Sequence, residues 1–176
     1  STRTFEGWAM QEDGDVGGAI FGGDSIQRSP IFRIVAGTGD VQLFTANGAY
    51  ATWPGAWPGP GKWTHWALVF DQEAGDAELF INGESLGVQP QEQPYDATAG
   101  RFQLGSWGLF RNEPWLGRMA GVAVYEDAIG AERLRDHFEA ARKGAYEREV
   151  LEDDPVLFWD LGMRKGIIAP DGSGEG

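Results

Sequence analysis

Apolar residues recur at every second position along most of this chain and change to helical spacing once, late in the sequence. Thr4–Met10 (TFEGWAM) places Phe5, Gly7 and Ala9 on one side and Glu6, Trp8 and Met10 on the other, the period of a strand. Gly18–Phe21 is a short apolar strand, and Ile31–Val35 and Val41–Thr45 read as hairpin arms joined through Gly37-Thr38-Gly39-Asp40. The firmest alternation is Lys62–Asp71 (KWTHWALVFD), with Trp63, His65 and Ala67 on one face and Trp66, Leu68 and Phe70 on the other. Both faces are apolar enough to be covered, as in the middle of a two-sheet sandwich. Ala77–Ile81 then turns at Asn82-Gly83 into Glu84–Val88. Arg101–Leu104 and Leu116–Tyr125 are further strands. Gly130 to about Glu149 predicts the single helix, with Leu134, Phe138 and Ala141 inward and Arg133, Arg135, Glu139 and Arg142 mostly outward. Val156–Leu161 is a last strand, apolar at almost every position, and the tail PDGSGEG is turn-like. Short strands, tight turns and one late helix predict an all-β, two-sheet antiparallel jelly-roll sandwich with one C-terminal helix.

Two stretches resist strand or helix. Residues 53–62 alternate prolines with glycines and form a stiff loop carrying Trp53 and Trp57. Ser106–Pro114 is a second long loop, bordered by Trp107, Phe110 and Trp115 and including Arg111 and Asn112. Aromatic faces beside polar side chains suit stacking on the C–H surfaces of sugars, and rigid loops lower the ordering cost. Trp53, Trp57, Trp107, Arg111, Asn112 and Trp115 are therefore the candidate ligand-binding residues. The same rings are equally suited to capping the sandwich or meeting a neighbouring subunit.

Composition narrows the function. The 176 residues suffice for one domain with a sizeable core. A formal charge of −13 repels phosphate backbones and anionic head groups, so neither nucleic acid nor membrane is an expected partner. No cysteine is present, which removes disulfides, thiolate catalysis and cysteine-ligated zinc. Only two histidines occur: His65, expected as a hydrogen-bonded structural residue beside Trp63 and Trp66, and His137, expected among the charges of the helix. No Gly-x-Ser-x-Gly or His-Glu-x-x-His pattern appears. No cofactor is expected. Calcium stays open, since Asp13, Asp15, Asp24, Asp40, Asp71 and Asp76 sit in or near turns, although turn aspartates usually bond to their own backbone.

Four segments, taken in order, resemble the laminin-G-like members of the concanavalin A-like lectin/glucanase superfamily. They are Phe5-Glu6-Gly7-Trp8, the run Trp63–Asp71, the hairpin Leu79-Phe80-Ile81-Asn82-Gly83, and a closing region of Leu104-Gly105, Leu116-Gly117, Val122–Tyr125 and the helix. The resemblance covers most of residues 4–142 and implies the jelly-roll fold. It also implies that Val156–Leu161 lies beside the strand Leu116–Tyr125. Residues 1–150 read as the sandwich with its closing helix. Residues 151–176 (Leu151 through Gly162, then Asp171-Gly172-Ser173-Gly174) resemble the opening of such a unit, displaced to the end of the chain. That segment is permuted, donated to a neighbour, or the start of a next unit, followed by a mobile tail. Its phrase Val-Leu, acidic, Pro-Val, aromatic, Trp also resembles structural proteins of phages infecting actinobacteria.

Glycosidases of this fold carry paired carboxylates on one strand, within a Glu-x-Asp-x-x-Glu run. Here the nearest approach, Glu147-Arg148-Glu149 with Glu152, sits at the helix end and is expected to face solvent. The chain therefore reads as no enzyme. The first expectation is a non-catalytic structural or adhesive module of an extracellular assembly or a virion, in a tail or on a capsid, with other assembly subunits as partners and several copies of itself. The alternative is a carbohydrate-binding lectin domain, with a cell-surface glycan as partner.

Overall fold

The computed structural model describes residues 2–12, 14, 17–23, 30–45, 49–91, 102–108, 112–162 and 172–173, with the backbone alone at 45, 49 and 50. Its strands are β1 (Thr2–Gln11), β2 (Gly18–Gly22), β3 (Ile31–Ile34), β4 (Val41–Thr45), β5 (Ala49–Trp53), β6 (Thr64–Asp71), β7 (Asp76–Ile81), β8 (Glu84–Pro90), β9 (Gln103–Leu104), β10 (Gly117–Tyr125) and β11 (Leu157–Trp159). Two short helices, α1 (Ala131–Ala141) and α2 (Tyr146–Leu151), lie between β10 and β11. One sheet runs β11-β10-β1-β6-β7-β8 and the other β5-β4-β3-β2-β9, and every described pairing is antiparallel.

The alternation becomes the sandwich directly. Phe21, Phe32 and Leu43 from one sheet meet Trp66, Leu68 and Leu79 from the other in one buried cluster. Phe21, Phe32 and Trp66 pack with centroids 5.3–5.8 Å apart. Gly7 sits where a Cβ would come within 3.0 Å of both Trp66 and Val122, so the indole uses the space a larger residue would fill. Each large ring buried this way contributes about 3–5 kcal/mol against truncation.

Four features depart from the sequence expectation. Residues 49–53 form β5, which adds an edge strand before the Pro-Gly loop. β6 begins at Thr64, so Trp63 lies outside it and is 44% exposed rather than buried. The single helix is two: Gly144, at φ +69°, adopts the left-handed conformation that commonly ends helices. The buried face of α1 is Leu134, His137 and Ala140, which puts His137 inside and not among the surface charges.

β11 pairs antiparallel with β10 of the same chain, Phe158 opposite Ala123. Phe158 packs with Ala123, Tyr125 and Val150 in a second cluster beneath α2. Beyond Gly162, Gly172 donates its amide to the Phe158 carbonyl at 2.7 Å. No helix among the described residues is long and apolar enough to cross a membrane.

Candidate functional site

The loop after β9 folds back on itself and lies along β2. Trp107 and Asn112 exchange backbone hydrogen bonds at 3.2 and 2.8 Å, Trp115 donates to Gly105, and Ala19 donates to the Glu113 carbonyl at 2.9 Å. A Cβ at Gly18 would come within 2.8 Å of the Pro114 carbonyl, and one at Gly17 within 2.3 Å of the Ile34 carbonyl. This close backbone packing leaves a trough of about 350 Å³, a size typical of small-ligand pockets. Its walls include Ile34, Val35, Pro114 and Leu116, and among the described residues Arg33 and Glu113 are the charged ones lining it.

Arg33 and Glu113 are held rigidly. Arg33 lies in register with Ala19 on β2 and Gln42 on β4, and Gln42 with Thr52 on β5, so these four form one row across the sheet. The Arg33 guanidinium donates through Nε and Nη2 to Gln42 Oε1 (3.1 and 3.0 Å) and through Nη1 to Glu113 Oε1 (2.6 Å). Glu113 reaches it from a backbone at φ +45°, a conformation that non-glycine residues adopt at a cost. Strain of this kind clusters at ligand sites. On the same outer face Trp107, half-buried, packs against Ala19, Ile31 and Phe44. A Cβ on Gly22 would come within 2.5 Å of the Trp107 Cβ.

The six residues singled out from the sequence divide. Trp107 and Asn112 border this face, and Asn112 is exposed. Arg111, like Phe110, lies outside the described residues, as do Asp13, Asp15 and Asp24. Trp53, Trp57 and Trp115 are 2%, 5% and 9% exposed, so their faces are not open for stacking. They hold the end of the sandwich together: Trp53 Nε1 donates to the Gly87 carbonyl at 2.8 Å, and Trp57 meets Trp115 edge to face at 5.6 Å. The Pro-Gly loop is thus folded inward by its own indoles. Two of the turn aspartates serve the backbone: Asp40 accepts from the Gly55 amide, and Asp71 from those of Glu73 and Ala74. No group of three or more His, Cys, Asp or Glu side chains placed to hold a metal ion occurs among the described residues.

Sequence reasoning missed a buried charged network. Glu6, on β1, is fully buried between the sheet and α1. It accepts from His65 Nε2 at 2.9 Å, His137 Nδ1 at 2.9 Å and the Tyr125 hydroxyl at 2.5 Å. His137 Nε2 lies 2.9 Å from Asp153 Oδ2, and Arg133 ties Asp153 to Glu149. Burial alone would push the Glu6 carboxyl up, but the hydrogen bonds and charges of His137 and His65 outweigh it and hold the carboxyl at about 2. Burial likewise works against a charged His137, and the Glu6 carboxylate overcomes it, so its pKa is raised. The Glu6 carboxylate thus favours the protonated ring of His137, with Asp153 near its second nitrogen. Glu6, His65 and His137 are sealed from solvent, and the network braces α1 on the sheet. The signal available in the sequence was a glutamate on the same strand face as Trp8 in a chain with only two histidines.

A family model described as the concanavalin A-like lectin/glucanases superfamily matches residues 1–135, more than half of the chain. The chain belongs to this superfamily. Among solved structures of this lectin-like fold, a Bacteroides ovatus protein to which carbohydrate binding is ascribed superposes with a TM-score of 0.72 at 19% identity over 99% of this chain. This chain spans 50% of that protein's length. The CBM40 of a Ruminococcus gnavus IT-sialidase superposes with a TM-score of 0.65 at 18% identity, over 77% of this chain and 81% of its own. Domain 4 of an extracellular arabinanase from Geobacillus stearothermophilus, in complex with arabinotriose, gives 0.60 at 19% identity, over 76% and 65% respectively. At such identities these likenesses show the shared fold alone. The comparison with curated proteins finds no match.

Proposed function

We propose that this protein is a non-catalytic carbohydrate-binding module acting outside the cell, and that its ligand occupies the trough on the outer face of the five-stranded sheet. The observation that carries the reading is the Arg33–Glu113 pair, fixed by Gln42 and by a strained backbone at the rim of an otherwise apolar trough. An apolar wall takes the C–H face of a sugar ring, while a preset carboxylate and amide receive its hydroxyls. Glu113 offsets the charge of Arg33, so the site reads hydroxyls more than ligand charge. Asn112 precedes Glu113 on the same loop, and Trp107 packs on the sheet beside it. Fold relatives that bind glycans support this reading over a virion role. Glycoside hydrolysis requires two carboxylates flanking the bond. Among the described residues Glu113 is the one carboxylate lining the trough, and the fully buried Glu6 is sealed away.

A glycan array probed with the full chain, followed by calorimetry on the hits, tests the proposal. Binding is expected to weaken about tenfold or more in Arg33→Ala and Glu113→Ala, and incubation with the bound polysaccharide is expected to release no reducing ends. Binding indifferent to both substitutions would move the site elsewhere. Binding to no glycan, or measurable turnover, would end the proposal.

A further inference from the structure

We propose a second ligand site on the opposite sheet, a groove at the C-terminal end of α1 that takes a sugar ring bearing a carboxylate, of the uronic-acid class. The groove has a volume of about 300 Å³ and is lined by Trp8, Trp63, Ala120, Ala141 and Arg142. Its existence follows from where α1 stops. α1 and α2 cover the outer face of β1 and β6 as far as His65, where Trp8 packs against His65, Phe138 and Tyr146 with centroids 5.2–6.0 Å apart. α1 ends at Ala141, and Trp63, two residues beyond His65 toward the sheet end, is left 44% exposed. Ala120, opposite Trp8 in register, and Ala141 are small enough to leave a floor between the two indoles.

Two indoles around alanines offer apolar faces to the C–H surface of a pyranose. The polar contribution is the guanidinium of Arg142, which is 70% exposed. Among the described residues its ion pair is with Glu139 at 3.6 Å, itself 47% exposed, an arrangement worth little in solvent. A carboxylate on the sugar would receive two parallel hydrogen bonds from that guanidinium and displace the weak pair. On a chain of net charge −13, the residues next to this lining in sequence or register are mostly basic, with Glu139 the acid beside Arg142. Lys62 precedes Trp63 and Lys143 follows Arg142. Arg118 lies opposite Met10, two positions from Ala120 on the same side of β10. Positive side chains gathered at one place on an acidic protein would draw an anionic ligand there. A neutral sugar would use the indoles and leave the guanidinium idle. The trough across the molecule offers the converse, a neutralised arginine without an open indole.

The test uses the full chain labelled with nitrogen-15, titrated with methyl glucuronide and, separately, methyl glucoside. The indole N–H signals of Trp8 and Trp63 are expected to shift with the glucuronide, and the glucoside is expected to bind about tenfold more weakly. Trp63→Ala and Arg142→Gln, both at exposed positions, should each weaken the glucuronide about tenfold, while Arg33→Ala and Glu113→Ala leave it unchanged. Equal binding of the two methyl sugars would overturn the charge reading. Absence of a Trp63 shift, or indifference to Arg142→Gln, would overturn the site. Failure of the trough would show separately, as glycan-array hits insensitive to Arg33 and Glu113, and would leave these outcomes untouched.

Discussion

Replacing Glu6 by Leu should be the most damaging single substitution of a polar residue in this protein. The carboxylate accepts from His65, His137 and Tyr125, all buried, so its loss strands three donors and leaves His137 with Asp153 alone. Removing one partner of a buried ion pair costs about 3–5 kcal/mol. For a chain of this size that corresponds to a fall in melting temperature of about 8–16 °C. The pH profile separates this from a mere packing defect. With its carboxyl at about 2 against an ordinary 4.5, Glu6 contributes linked stability of about 3 kcal/mol. That contribution is complete above pH 4.5 and is lost as pH falls toward 2. His137 is raised above its ordinary 6.5, so its contribution is complete below pH 6.5 and is lost as pH rises through the raised value. Wild type should therefore be most stable between about pH 4.5 and 6.5, and Glu6→Gln, close to isosteric, should flatten both limbs. Urea unfolding across pH 2–9, read by tryptophan fluorescence, measures this. A Glu6→Gln profile parallel to wild type, or a Glu6→Leu melting temperature within a degree or two of it, would refute the reasoning.

Other substitutions separate the roles of the indoles and test the loops. Trp57→Ala and Trp115→Ala should each destabilise by about 3–5 kcal/mol in thermal unfolding, whereas Trp63→Ala should stay within about 0.5 kcal/mol of wild type. Gly121→Ala should destabilise clearly by the same measurement, because Gly121 has φ +54° and a Cβ would come within 2.5 Å of the Tyr146 ring. Glu113→Gly relieves a left-handed backbone, so it should hold or raise stability by up to about 1 kcal/mol in urea titration while abolishing glycan binding in calorimetry. Deleting residues 155–176 removes β11 and uncovers Ala123, Tyr125 and Val150, so light scattering should report aggregation of the truncated chain.

The sandwich was legible because strand alternation is local: β1, β6, β7 and β10 are written in residues that touch their own neighbours. β5 was hidden by Ala49, Ala51 and the Pro-Gly run after it, which mask its pattern. The inner face of α1 was read one position off, because Phe138 is the more apolar residue and His137 the one with a buried carboxylate beneath it. No local pattern carries that information, since Glu6 meets His65 and His137 across 59 and 131 positions of sequence. The tryptophans of the first loop misled for a related reason. Proline and glycine mark an irregular backbone, but irregular does not mean outward-facing: the Gly39 carbonyl accepts the Trp57 backbone amide and the Gly87 carbonyl the Trp53 indole N–H. The trough was half visible, through Trp107 and Asn112. Arg33 and Glu113 come together over 80 positions, where Gly17 and Gly18 let the chain pack closely against the backbone of Ile34 and Pro114.

Chemical-shift mapping with the strongest glycan-array ligand tests the central claim most directly, because it locates the ligand without assuming a mutant's effect. The account predicts saturable shifts confined to the backbone amides of Gly17, Gly18, Ala36, Asn112 and Glu113 and to the Arg33 side chain, with the Trp53, Trp57 and Trp115 indoles unmoved. Shifts centred on those three indoles, or on no contiguous surface at all, would contradict it.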